Sequence, residues 1–206
     1  MAGKDRPQIY LVTPAAADPA AFAGRLAAVL DSVEVACLRI ALATRDADDL
    51  ARAADLLREV AHARDVATVI ETHLRLVQPH GLDGVHLTDA GRTVREARRL
   101  LGPDAIVGAF CGASRHDGIV AGEAGADYVA FGPVADSVLG AGPVAPRDLF
   151  AWWSEMIEVP VVAEGGLTAA GVQDLAPVTD FLAFGDEIWR AEDPARALAA
   201  LTAGLS

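Results

Sequence analysis

Uninterrupted apolar runs alternate along this chain with segments whose apolar residues recur at helical spacing. "QIYLVT" predicts a first strand, and "DPAAFAGRLAAVL" a helix with Asp18 at its N-cap and Pro19 at its first position. "VEVACLRI" predicts a second strand, followed by the amphipathic "DADDLARAADLLREVAHA", acidic in its first turn as the helix dipole favours. "VATVIE" is a third strand, "LRLVQPHG" a short helix, "LDGVHLT" a fourth strand and "TVREARRLLG" a helix closed by Gly102 and Pro103. "AIVGAF" and "ADYVAFGPV" flank the helix "SRHDGIVAGEAG", for which Ser114 is the expected cap. "PRDLFAWWSEMI", "VPVVAEGG", "AAGVQDLAP", "DFLAFG" and "DPARALAALTAGL" complete eight strand–helix units.

Strands that are apolar at successive positions are buried on both faces, as in a parallel sheet covered by helices. Eight such units predict a single (β/α)8 TIM-barrel domain over residues 1–206. A doubly wound open sheet is the competitor, but no G-x-G-x-x-G follows the first strand.

Net charge is −12, from 17 basic and 29 acidic residues, which argues against a nucleic-acid partner. Arg92, Arg95, Arg98 and Arg99 cluster, with the spacing of one solvated helix face. No stretch has the roughly 20 apolar residues of a membrane span, and no apolar run follows the first charges as in a signal peptide. A cytoplasmic protein with small-molecule partners is expected, with homo-oligomerisation left open. Cys37 and Cys111 have no metal or disulfide pattern and are expected to behave as small buried residues. Trp152 and Trp153 are expected to divide between core and surface.

In a barrel of this kind the chemistry sits at the C-terminal ends of the strands. Arg39, inside an apolar strand, must meet an anionic ligand or an internal carboxylate such as Glu71 or Glu164. His86, between Val85 and Leu87, is expected to be a packed, hydrogen-bonded histidine. Glu71, His73, His86 and Glu164 are residue types that suit a divalent ion, though no spacing motif supports the set. Ser114, Arg115, His116 and Asp117 follow strand five, where a helix cap is the simpler reading.

"IYLVT", "CLRI", "LDGVHL", "AGEAGADYVAFGPV" and "VPVVAEGGL" fall in the order and spacing of thiamine phosphate synthase and its thiazole tautomerase relatives, which the chain resembles over nearly its whole length. The resemblance implies a (β/α)8 barrel and a Mg2+-assisted transfer of hydroxymethylpyrimidine from its diphosphate to thiazole phosphate, releasing pyrophosphate. It implies a thiazole, pyrimidine or phosphate ligand, with Arg39 and a distant candidate, His116, as catalytic residues. It places phosphate binding at Arg39, Gly132, Gly165, Gly166 and Gly185; Glu71 and Asp89 stand at or near its two metal-carboxylate positions, and Glu164 joins them as a candidate metal ligand by residue type alone.

Several family positions differ here. The Gln-Leu-Arg-x-Lys pattern of strand two reads Cys37, Leu38, Arg39, Ile40, Ala41. Glu71 and Thr72 replace an Asn-Asp pair, and Thr88, Asp89, Ala90 and Gly91 replace Gly-Gln-x-Asp. The Thr-x-Thr-Lys loop falls on Ser137, Val138, Leu139 and Gly140, and Asp136 is a candidate replacement ligand. Glu164 stands before the double glycine, and Asp186–Glu187 stand after Gly185, with Asp186 the expected helix cap. These changes predict impaired standard synthase activity. The alternatives are a non-catalytic ligand-binding paralogue or a different reaction at an acidic barrel mouth.

Overall fold

The computed structural model describes residues 6–44, 46–135 and 143–205. Eight parallel strands close into a barrel in sequence order: β1 (Gln8–Val12), β2 (Cys37–Ile40), β3 (Ala67–Glu71), β4 (Gly84–Leu87), β5 (Ile106–Phe110), β6 (Tyr128–Phe131), β7 (Val161–Glu164) and β8 (Phe181–Phe184). Helices return the chain outside it: α1 (Pro19–Leu30), α2 (Ala47–His62), α3 (Val94–Leu101), α4 (Arg115–Glu123), α5 (Arg147–Met156), α6 (Ala169–Leu175), α7 (Asp186–Trp189) and α8 (Pro194–Thr202).

The predicted caps at Asp18 and Ser114 are present, each accepting a backbone N–H three residues on. Asp186 is not a cap. Gly185 holds that position, and Asp186 lies in the first turn of α7, an element the apolar pattern did not predict, where it pairs with Arg190 at 2.6 Å. Strand β2 is shorter than its apolar run, beginning at Cys37. The segment between His73 and Val77 is a 3-10 turn.

The period-two alternation of strands divides the core into two regions. One face of each strand packs on the helices, joining Leu11, Leu38, Ile70, Val85, Phe131 and Phe184 to Leu26, Leu57, Phe150 and Trp153. The other face fills the barrel with Tyr10, Cys37, Val69, Tyr128, Ala130, Val162 and Ala183. Gly108 makes room there, since a Cβ would overlap the Tyr128 ring. Trp153 is buried and Trp152 half-buried, with the Arg115 guanidinium 4.0 Å above the Trp152 ring. Both cysteines are buried, and burial pushes each thiol up to about 12. Arg98 of α3 ties to Asp127 and to the carbonyls of Gly125 and Ala105, so part of the basic cluster is structural.

Candidate functional site

The alternation that fills the barrel also carries polar side chains up to its C-terminal mouth. Arg39 is the central one, inward on β2 between the registered Val12 of β1 and Val69 of β3, and only 6% exposed. A buried guanidinium needs acceptors on every side. Glu164, at the end of β7, supplies both oxygens, at 3.0 Å to Nη1 and 3.3 Å to Nη2. Glu71, at the end of β3, lies 3.6 Å from Nε, close enough to neutralise but not to bond. Nε is left without a hydrogen-bond partner among the described residues. Nη1 also meets His86 Nε2 at 2.5 Å.

The network continues downward. His86 Nδ1 is 2.9 Å from the Tyr128 hydroxyl, which is 2.8 Å from that of Tyr10. A guanidinium only donates, so Nε2 accepts, Nδ1 carries the proton, and Tyr128 takes it and turns its own toward Tyr10. Burial lowers the His86 pKa well below its usual value, and the Arg39 charge adds to this, so the imidazole is neutral. Burial also raises both tyrosines, keeping them phenols. Burial opposes the Arg39 charge, but Glu164 first and then the other acidic neighbours outweigh it, and Arg39 stays protonated. Burial raises the Glu71 pKa and the nearby Glu164 charge adds to it, while Arg39 pulls the other way.

A cavity of about 810 Å3 opens above this cluster. Arg39, Glu71, Glu164, Gly165, Gly166, Gly185, Asp186, Glu187 and Arg190 contribute to its wall. Gly165 and Gly166 have φ of +81° and +87°, a left-handed backbone that glycine adopts without a Cβ penalty. This turn aims the Gly166 N–H into the mouth, where the Glu187 carboxylate accepts it at 2.6 Å. The other Glu187 oxygen accepts the Gly185 N–H at 2.8 Å. One carboxylate thus bridges both predicted phosphate loops. A unit negative charge placed about 4 Å from it would be repelled by about 4 kcal/mol at an effective dielectric of about 20.

The structure therefore brings together Arg39, Glu71, Glu164, Gly165, Gly166 and Gly185. It does not bring in the other predicted residues. His116 is exposed in the first turn of α4. Gly132 packs under β7, where a Cβ would overlap the Glu164 carbonyl oxygen, and its cis peptide leads to Pro133, which does line the cavity. Asp89 accepts the Thr93 hydroxyl at 2.7 Å and lines none of this mouth. His73 turns toward a separate cleft beside Leu50 and Leu76. Asp136 and the loop of Ser137 to Gly140 lie outside the described residues.

A divalent ion does not fit this donor set. Glu71 and Glu164 converge on a guanidinium and Glu187 is spent on two backbone amides, while Asp89, whose Oδ2 accepts from Thr93 and whose Oδ1 is buried without a hydrogen-bond partner among the described residues, is not part of this wall. Among the described residues no group of three His, Cys, Asp or Glu side chains is placed to hold a metal. Sequence reasoning missed Tyr10, Tyr128 and the bridging role of Glu187. The inward parity of Tyr10 and Tyr128 on their strands, and an acid two residues past Gly185, were the available signals.

Comparison with known proteins bears on this mouth. The family model described as thiamine monophosphate synthase matches residues 9–183. A thiamine-phosphate synthase of Rhodospirillum centenum is 44% identical over 188 residues, covering 88% of this chain and 89% of that one. One of Hyphomonas neptunium is 36% identical, covering 97% and 94%. The solved thiamine phosphate pyrophosphorylase of Pyrococcus furiosus superposes with a TM-score of 0.81 at 20% identity, covering 95% and 94%, and so matches in fold. Among the described residues no helix is long and apolar enough to cross a membrane.

Proposed function

The chain belongs to the thiamine monophosphate synthase family, and from that premise we propose that it acts in thiamine biosynthesis on a thiazole or pyrimidine ligand held at the barrel mouth. The observation that carries this reading is Arg39. It is the strand-two arginine of the family pattern, and it is buried at the C-terminal end of the barrel beneath a cavity of about 810 Å3. This fold places its chemistry at that end. Phe110 and Pro133 give the wall apolar surface for a heterocycle, with Glu71 and the Arg39–Glu164 pair as polar groups beside it.

The family's transfer would join the pyrimidine methylene carbon to the thiazole nitrogen and break the bond to the diphosphate oxygen. It needs cations at the departing diphosphate. Here Arg39 is already neutralised by Glu164, and Ala41 stands where the strand-two lysine would be. These observations favour a second reading, in which the ligand is bound and the standard transfer is slow or absent.

One experiment separates the two. Thermal melts with the thiazole alcohol, its phosphate, hydroxymethylpyrimidine and thiamine phosphate should show stabilisation by at least one of them, about 2.7 kcal/mol at a hundred times its Kd. An assay for thiamine phosphate from the two family substrates, with Mg2+, accompanies them. Stabilisation with product supports the synthase, and stabilisation without product supports the binding protein. If none of these ligands stabilises the fold and no product forms, the proposal is wrong.

A further inference from the structure

We propose that His86 and Tyr128 are positioning residues for Arg39: the Tyr128 hydroxyl fixes the imidazole tautomer that leaves His86 Nε2 as an acceptor, and Nε2 locks the guanidinium in one orientation beneath the ligand cavity. The proposal rests on the functional reading above only for the ligand used to test it.

Geometry is the first support. Arg39, His86, Tyr128 and Tyr10 come from β2, β4, β6 and β1, and all four are buried. They meet end to end: Arg39 Nη1 lies 2.5 Å from His86 Nε2, His86 Nδ1 2.9 Å from the Tyr128 hydroxyl, and that hydroxyl 2.8 Å from the Tyr10 hydroxyl. The rings hold one another, with His86 stacked on Tyr128 at 5.7 Å between centroids and Tyr10 edge-on to Tyr128 at 5.9 Å. Close packing of this kind fixes rotamers, which is how a supporting layer holds a binding group in place.

The sense of the hydrogen bonds is the second. A guanidinium has no acceptor, so an imidazole protonated at Nε2 would set donor against donor at 2.5 Å. The tautomer that avoids this carries its proton at Nδ1, and a buried Nδ1–H needs an acceptor. The Tyr128 hydroxyl supplies it. The column orients Arg39 and does not conduct protons to it, because its lower end, Tyr10, lies beside the buried Cys37 thiol on the same strand as Arg39 and not at solvent.

Charge is the third. His86 gives Arg39 a hydrogen bond beside the two from Glu164 and adds no negative charge. A carboxylate in its place would take up more of the positive charge that an anionic ligand can use. Arg39 Nε keeps no hydrogen-bond partner among the described residues and lies on the side of the partly exposed Glu71. A ligand that moves Glu71 aside meets a donor whose direction is already set.

The test compares wild type, Tyr128→Phe, His86→Gln and the double variant. Tyr128→Phe keeps the ring that fills the space over Gly108. His86→Gln offers Arg39 a carbonyl oxygen and has no tautomer to select. Nitrogen NMR of the imidazole should show wild-type His86 protonated at Nδ1 and bare at Nε2. In titration calorimetry with thiamine phosphate, Tyr128→Phe should bind about tenfold more weakly than wild type, His86→Gln within about threefold of it, and the double variant as His86→Gln does. A wild-type ring protonated at Nε2 would overturn the proposal. So would a Tyr128→Phe that binds as wild type does, or a loss of the same size in both backgrounds, which is what a merely structural tyrosine gives. If thiamine phosphate binds none of these proteins, that counts against the functional reading, and hydrogen exchange at Arg39 Nε decides the positioning role by itself. Exchange should be about tenfold faster in Tyr128→Phe than in wild type, and equal rates would overturn the proposal.

Discussion

The protonation of His86 is set entirely by its neighbours. The ring is fully buried, accepts from Arg39 at Nε2 and donates to Tyr128 from Nδ1. Taking up a second proton would place two cations in contact away from water. The folded-state pKa therefore lies well below the usual histidine value, through burial first and the Arg39 charge second. In the unfolded chain the same ring takes up a proton near pH 6.5. As pH falls through that value the unfolded state binds protons that the native state refuses, so native stability drops. Glu71 acts in the opposite sense, because its pKa is raised in the fold. Its contribution is present at low pH and is lost as pH rises through the raised value. Comparing wild type with His86→Gln isolates the histidine. Between about pH 8 and about pH 5 the wild type should lose stability relative to the variant, with the loss setting in below about pH 6.5. A difference that stays flat across that range would show that the native ring takes up its proton as readily as the unfolded one, and a gain on acidification would show that it is already charged.

At the scale of elements, the N-terminal face of the barrel is built by one device used three times. Asp83, just before β4, accepts the Thr68 N–H at 2.6 Å. Asp127, just before β6, accepts that of Val107 at 2.7 Å, and Asp180, just before β8, that of Val161 at 2.8 Å. In each case the aspartate reaches back to the preceding strand, where an edge amide has no ladder partner. The aspartate that precedes the strand in "LDGVHL", "GADYVAFG" and "VTDFLAFG" therefore has a structural cause. Burying an N–H without an acceptor costs about 1–3 kcal/mol. Val161 is fully buried, so Asp180→Ala should lower unfolding free energy by about that amount in urea titrations, and Asp180→Asn, which keeps an oxygen acceptor, by less. Equal losses in the two variants would show that the aspartate's charge, and not the bond to Val161, is what matters. This lies at the face opposite the mouth, so ligand binding should follow stability only.

At the scale of the whole molecule, the barrel could be read from the chain because parallel strands buried on both faces leave continuous apolar runs, and eight of them have one simple closure. Arg39 could be read because a charge inside such a run must be answered, and the candidates at strand ends were few. What the chain did not reveal depends on contacts between distant positions. Tyr10 and Tyr128 are 118 residues apart and meet across the barrel. Spacing does not say which of Asp186 and Glu187 turns back to the glycine amides. Electrostatics is the property where all scales agree, since a chain of net charge −12 has a mouth with more acids than bases among its described residues. The field of the whole protein and the field of the site both repel anions and draw cations. Raising ionic strength from about 10 mM to about 150 mM shortens the screening length from about 30 Å to about 8 Å. In Glu187→Ala, where the Gly166 and Gly185 amides are open, association of inorganic phosphate should therefore speed up several-fold over that change, and association of the neutral thiazole alcohol should stay level. Stopped-flow measurements at the two salt concentrations read this directly. A phosphate rate that falls with salt would mean that Arg39 and Arg190 dominate what an incoming anion feels, and that the acids around the mouth are turned away from its path.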